Sequence, residues 1–339
     1  MDAKQRLDQM LEEMDGLVRM TNKRSVLILI QHTKEDDFEV CIPSVRESIS
    51  NIIGFVSIGD DSFLPYLIDR SVGIVDTIML DIDFKRRETE NIRIATARLA
   101  ESKGISVAYY SDYSTWISSA IAFMMEIVRK KEVKTIFDSK LLLVGKNALA
   151  TRMVLELLSK GIEVCVFEKE YPTPTFPLTK GKVELESPFI HRINPVPGER
   201  FNILIGCEIQ SRCSFLRELS TMDFEQIFDI GINNFSQDFI RQQRQRGAEV
   251  YRSDDRAGIS GIVVNLMETS ELVNSRLGKT SVGGIPIVSG GLIGDFGDVV
   301  VDNFNEVHVV LGIANGDGTF KQDLSSEDEI NMRRINKLL

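Results

Sequence analysis

Residues 140–158 read KLLLVGKNALATRMVLELL, and the fold turns on how the loop at Gly145 is read. Leu141 to Val144 run apolar without alternation, as in a parallel strand covered on both faces. Helical spacing follows as far as Lys160, Gly161 can stop the helix, and a second apolar run, EVCVFE, ends at Glu168. Strand, tight turn, helix and strand make a βαβ unit. A dinucleotide fingerprint at this turn would carry three glycines. Here Gly145 holds the first place, while Asn147 and Ala150 stand in the second and third.

Working outward, the same alternation recurs on both sides. Upstream, SVLILIQ (25–31), FVSIGD (55–60), VDTIMLDID (75–83) and GISVAYY (104–110) read as strands. Helical segments are expected at PSVRESISNIIG, opened by Pro43 and ended by Gly54, around SFLPYLIDRSVG, and over TWISSAIAFMMEIVRKK, which would connect two lobes. Downstream, EKEYPTPTFPLTKG (168–181) reads as a proline-rich loop, FNILIGC and IFDIGI as strands, SQDFIRQQRQRG as a helix and AEVYRSD as a short strand.

The fold class expected is α/β. An N-terminal helix (1–22) precedes an N-terminal α/β lobe (23–132), then a Rossmann-like doubly wound parallel sheet (133–275), then a glycine-rich β section of hairpins and tail (276–339).

The chain has 339 residues and 24 glycines, long enough for two lobes. With 40 Lys and Arg against 50 Asp and Glu its net charge is −10, which disfavours a nucleic-acid partner. RKKEVK and RQQRQRG sit on helical stretches and read as solvated faces. The four cysteines lack CxxC spacing and read as free thiols of a reducing, cytoplasmic setting. No apolar run reaches membrane-spanning length, and the amphipathic first helix does not read as a signal peptide. His32, His191 and His308 are scattered without an evident acid and read as structural or surface residues. There is no GxSxG, HExxH or Walker loop, so the common hydrolase and nucleoside-triphosphatase classes are disfavoured.

Several positions carry possible chemistry. Gly145, Lys146, Asn147 and Ala150 lie where a helix N-terminus would meet a pyrophosphate, and Glu168 lies about twenty residues on, where an acid takes ribose hydroxyls and favours NAD over NADP. Gly206 and Cys207, at the end of NILIGC, would border the nicotinamide, with Gly231 at the next strand end. The other reading is a Rossmann-like lobe that packs without a cofactor. In MLDIDFK, Asp81 and Asp83 either cap the next helix or line a cleft, and Lys85 is either a catalytic base or part of a basic turn with Arg86 and Arg87. Asp112, followed by Tyr113, Ser114 and Thr115, can be a helix N-cap.

VGKNALATRMVLELL resembles the cofactor loop of methylenetetrahydrofolate dehydrogenase/cyclohydrolases, and FDIGINN (228–234) is similar to their DVGIN strand end. Lys146 and Asn147 match that family's Arg and Ser, whereas Ala150 and Arg152 replace its Gly and Pro. PIVSGG (286–291) is faintly like its PVPGG, though hairpin geometry explains those glycines as well. Shikimate dehydrogenase and the pyrrolysine synthase oxidoreductase share the same order of lobes. That resemblance implies an NAD- or NADP-dependent oxidoreductase acting on an alcohol, amine or C=N group of a small-molecule substrate, with Lys85 and Asp112 moving the proton. A homodimer through the first helix or the C-terminal strands is a further expectation. The competing expectation is a non-redox binding or assembly protein that keeps the two-lobed shell.

Overall fold

The computed structural model describes the chain except residues 1, 32–39, 59–61, 84–88, 131–134, 179–180, 210, 254–255 and 338–339. It divides into two compact units, Met1–Ile262 and Val263–Leu339.

The first unit opens with α1 (Ala3–Thr21), capped by Asp2, whose carboxylate accepts from the Gln5 amide in a reciprocal capping box. Its apolar stripe, Leu7, Met10, Leu11 and Met14, is buried on a sheet built from β1 (Arg24–Gln31), β2 (Arg46–Glu47), β3 (Asn51–Ile58), β4 (Thr77–Asp81) and β5 (Ser106–Tyr110). The order is β2-β3-β1-β4-β5, parallel except for β2. Helices α2 (Leu64–Ser71) and α3 (Thr89–Ser102) complete this lobe.

The helix expected over 43–54 is not formed: β2 and β3 occupy that stretch. Residues 51–56 are buried without a break, so both faces of the stretch are covered, which one helix face could not achieve. Gly54 is no helix stop. A Cβ there would lie 2.5 Å from Met14 Sδ, so the missing side chain lets α1 sit close on the strand.

Helix α4 (Asp112–Arg129) connects to the second sheet and buries Ile117, Ile121 and Met124 in that sheet's core. The sheet comprises β6 (Leu141–Val144), β7 (Val164–Phe167), β10 (Ile190–Ile193), β11 (Arg200–Gly206), β12 (Asp223–Asp229) and β13 (Glu249–Arg252). Its order, β10-β7-β6-β11-β12-β13, is parallel throughout. Counted along the sheet this is 3-2-1-4-5-6, the doubly wound dinucleotide-fold order. Helix α5 (Ala148–Ser159) links β6 to β7, and α6 (Leu216–Leu219) and α7 (Gln237–Gln245) pack farther along. Leu141 and Leu143 face one core and Leu142 and Val144 the other, as a strand covered on both faces requires. Lys160 ends α5 and Gly161 follows with φ +75°.

The proline-rich stretch expected as a loop instead holds the hairpin β8 (Thr175–Leu178) and β9 (Gly181–Glu184). Phe176 is its buried anchor, stacked on Tyr171 at 4.3 Å.

Helix α8 (Arg256–Glu271) begins in the first unit, where Gly258 lies against α4. In the second unit β14 (Lys279–Val282), β15 (Ile285–Ser289), β16 (Val299–Val301) and β17 (Val310–Ile313) pack with α9 (Ser326–Asn336) around Ile287, Val299, Ile313 and Ile335. Gly283 and Gly284, both at positive φ, form the two-residue turn between β14 and β15. The expected run of hairpins is only part of the arrangement, because β15 and β16 pair parallel. No helix among the described residues is long and apolar enough to cross a membrane.

A Cβ on Gly258 would lie 1.7 Å from the buried Ser119 Oγ and 3.2 Å from the Thr115 carbonyl oxygen. Gly258→Val is therefore expected to separate α8 from α4 and destabilise the first unit by about 2 kcal/mol or more. A lowered urea midpoint at unchanged m-value would register it; an unchanged midpoint would contradict this contact.

Candidate functional site

The strand order reverses between β6 and β11, so the crevice outside their carboxyl ends is where an open α/β sheet presents its ligand site. Gly145 follows β6 directly with φ +143°, and a Cβ there would lie 3.0 Å from the Cys207 backbone carbonyl carbon and 3.3 Å from Ala150 Cβ. Only glycine lets loop, helix and neighbouring strand approach this closely. The Tyr171 hydroxyl, buried beneath, donates to the Gly145 carbonyl oxygen.

Asn147 is the N-cap of α5: its Oδ1 accepts from the Ala150 amide at 3.0 Å, and its Nδ2 donates to the Cys207 carbonyl at 2.9 Å. Ala150 is fully buried on the strand side of the helix. Both departures from the glycine fingerprint thus have structural roles in this turn.

Two carboxyl groups converge on the loop amides. The Lys146 N–H donates to Glu208 Oε1 at 2.5 Å, with Asn147 Nδ2 3.1 Å from Glu208 Oε2. The Gly145 N–H points at Glu170 Oε2 at 3.4 Å. Glu170 is 3% exposed, its Oε1 has no hydrogen-bond partner, and burial pushes its carboxyl up to about 7. Neither glutamate stood out in the sequence. Glu170 lies two places beyond the expected Glu168, and Glu208 follows the expected Cys207.

Glu208 itself is held by Asn234. Its N–H donates to Asn234 Oδ1 at 2.6 Å and its carbonyl accepts from Asn234 Nδ2 at 2.7 Å, while Asn234 is fully buried. The turn carrying Asn234 places Ile232 and Asn233 at φ +67° and +66°. A β-branched residue there is unusual and marks a turn held by its surroundings. A Cβ on Gly231 would lie 2.0 Å from the Glu208 carbonyl oxygen, and one on Gly206 would lie 2.9 Å from Asn234 Oδ1. Asp229 at the end of β12 is raised by burial, with the amides of residues 232–234 drawing it back.

Glu168 is exposed at the end of β7, and its Oε2 accepts from Asn194 Nδ2 at 2.6 Å. Cys207 is fully buried, and burial lifts its thiol well above the ordinary range. Cys165 and Cys213 are likewise pushed up, to about 11 and about 12, so all three stay protonated and unreactive near neutral pH.

On the first sheet, Asp81 Oδ1 accepts from the Asp83 amide at 2.9 Å and from the Asp112 amide at 3.3 Å. Asp83, 4% exposed, accepts from the Tyr113 amide at 2.6 Å, from the Ser111 hydroxyl at 3.1 Å and from Arg152 Nη1 of α5 at 2.8 Å. The aspartates therefore hold the start of α4, and Asp83 ties it to α5. Ser111, not Asp112, is the N-cap, and Asp112 is half-buried in the first turn. Lys85 lies outside the described residues, as does His32. The other histidines do face acids, a correction to the sequence reading: His191 lies 3.1 Å from Glu163 and His308 lies 3.3 Å from Asp302, all at the surface. Among the described residues no cluster of His, Cys, Asp and Glu is arranged to hold a metal ion. A cavity of about 440 Å³ lies at the opposite edge of the second sheet, against Arg200, Asn202, Phe224 and Arg246 near the strand starts.

No protein-family model and no curated protein matches this sequence. Among solved structures the chain is similar to a component of dipicolinate synthase from Bacillus halodurans, at 12% identity and a TM-score of 0.30, over 72% of this chain and 97% of that one. It is similar to D-2-hydroxyisocaproate dehydrogenase at 8% identity and 0.29, over 74% and 97%. A third is the NAD-complexed D-isomer-specific 2-hydroxyacid dehydrogenase of Lactobacillus delbrueckii ssp. bulgaricus, at 8% and 0.25, over 74% and 96%. These three are not the folate or shikimate enzymes that the motifs resemble. The strand order of the second sheet is what fixes the Rossmann-like fold.

Because its carboxyl binds its proton more tightly folded than unfolded, Glu170 contributes stability below its unfolded value of 4.5 that is lost as pH rises to about 7. The total is on the order of 3 kcal/mol. Glu170→Gln should flatten the stability profile across that window, as denaturant titrations between pH 4 and 8 would reveal; parallel profiles for the two proteins would count against the buried protonated carboxyl.

Proposed function

We propose that this protein is an NAD-dependent oxidoreductase whose small-molecule substrate lies between the two sheets of the first unit. The observation that carries this reading is the 3-2-1-4-5-6 parallel sheet with Gly145 at the point of reversal and an exposed acid, Glu168, at the end of the adjacent strand. The pyrophosphate would lie over the loop of Gly145, Lys146, Asn147 and Ala150, and the adenosine ribose at Glu168, whose charge repels a 2′-phosphate and so favours NAD over NADP. Gly206 and Gly231 leave room for backbone, not side chains, along the nicotinamide side. The bound cofactor would supply the hydride chemistry. Asp112, in the first turn of α4, and Lys85 would hold and move the proton on a substrate hydroxyl or amine.

A specific observation favours a second reading. Two loop amides that a phosphate would use already donate to Glu170 and Glu208. That internal satisfaction suits a non-redox binding or assembly protein that keeps the shell.

Thermal unfolding with NAD, NADP and their reduced forms separates the two. A ligand bound only by the native state raises the midpoint, by the equivalent of ~2.7 kcal/mol at a hundredfold excess over its Kd. NAD should stabilise most, and Glu168→Ala should weaken it by about tenfold, the loss of a charge-assisted hydrogen bond. Absence of any shift with all four nucleotides would select the non-redox reading. If NAD binds, Asp112→Ala should spare that binding and remove turnover.

A further inference from the structure

The start of α5 is an electropositive end whose loop amides are the natural seat of an anion. In this chain the seat carries an anion of its own. Glu208 reaches from the end of β11 to the Lys146 N–H at 2.5 Å and to the Asn147 side-chain amide at 3.1 Å. Its backbone cannot drift, because Asn234 brackets both its N–H and its carbonyl, and Gly231 packs against that carbonyl. Its side chain is only half-buried. Glu170 approaches the preceding amide, that of Gly145, from beneath, with its second oxygen buried and unpartnered.

We propose that Glu208 is a resident anion that competes with the ligand's phosphate for the Gly145–Asn147 loop, so that a dinucleotide is admitted only when the Glu208 carboxylate swings away from the Lys146 amide. This rests on the dinucleotide reading above and adds to it a built-in competitor. A carboxylate is a close electrostatic stand-in for one phosphate oxygen pair, and both cannot occupy the same donors. If left in place beside a pyrophosphate, it would face a like charge at contact distance. Ligand affinity is thereby reduced by the fraction of molecules in which Glu208 is docked.

The test uses the full chain and four probes by titration calorimetry: NAD, ADP-ribose, ADP and adenosine, with wild type, Glu208→Gln and Glu208→Ala. Glu208→Gln preserves shape and removes charge, and circular dichroism confirms that each variant is folded. Expected are a tenfold or greater tightening for the three phosphate-bearing probes in both variants, and no change for adenosine, which carries no phosphate. Tightening that extends equally to adenosine would overturn the competition and indicate general loosening of the site. NAD affinity unchanged or weakened in both variants, with wild type binding NAD, would overturn the gate while leaving the dinucleotide reading intact. No binding of any phosphate-bearing probe by any of the three proteins would overturn both.

Discussion

Close backbone approach at the carboxyl edge of the second sheet is the constraint on which the site depends. Gly145, Gly206 and Gly231 end or follow three neighbouring strands, and in each case a side chain would strike the next element: Cys207 for the first, Asn234 for the second, Glu208 for the third. The ends of β11 and β12 are thereby drawn together around one buried asparagine, and β6 closes against Cys207. Asn234 then serves as a strand partner for Glu208, satisfying both its backbone groups where the ladder has ended.

Electrostatics at this edge differ from those of an open phosphate loop. Glu170, Glu208 and Asp229 gather where the α5 dipole is positive, and burial raises two of them, Glu170 and Asp229. For these two, burial favours the neutral form, while the Gly145 amide and the amides of residues 232–234 respectively favour the charged form. Glu208 takes the more exposed place and the better donors; Glu170 takes the drier place with one long contact. The two carboxyls thus play different parts within one loop.

The two sheets of the first unit are joined by more than the connecting helix. Asp83 leaves β4, caps the first turn of α4 and pairs with Arg152 on α5, whose guanidinium also lies over the Tyr113 ring at 5.1 Å. Breaking that pair would leave an almost fully buried carboxylate without its cation, a costly loss that keeps the geometry of α4 and α5 linked.

Much of this was legible in the chain itself, because periodicity, caps and stops are local. The buried strands at 25–31 and 141–144, the turn at Gly145, the stop at Gly161 and the exposed acid at Glu168 all follow from neighbours within a few residues. Local signals misled where two patterns overlap: Ile52 and Ile53 close a run with helical spacing, yet a strand buried on both faces claims them, and of the prolines in 172–177 Pro177 lies within a hairpin strand. Only the tertiary structure could place Glu208 on the Lys146 amide, 62 residues away in sequence, or Arg152 on Asp83, 69 residues away. Those pairings arise from strand order, and strand order is chosen by burial summed over the whole sheet, which no short stretch of sequence contains.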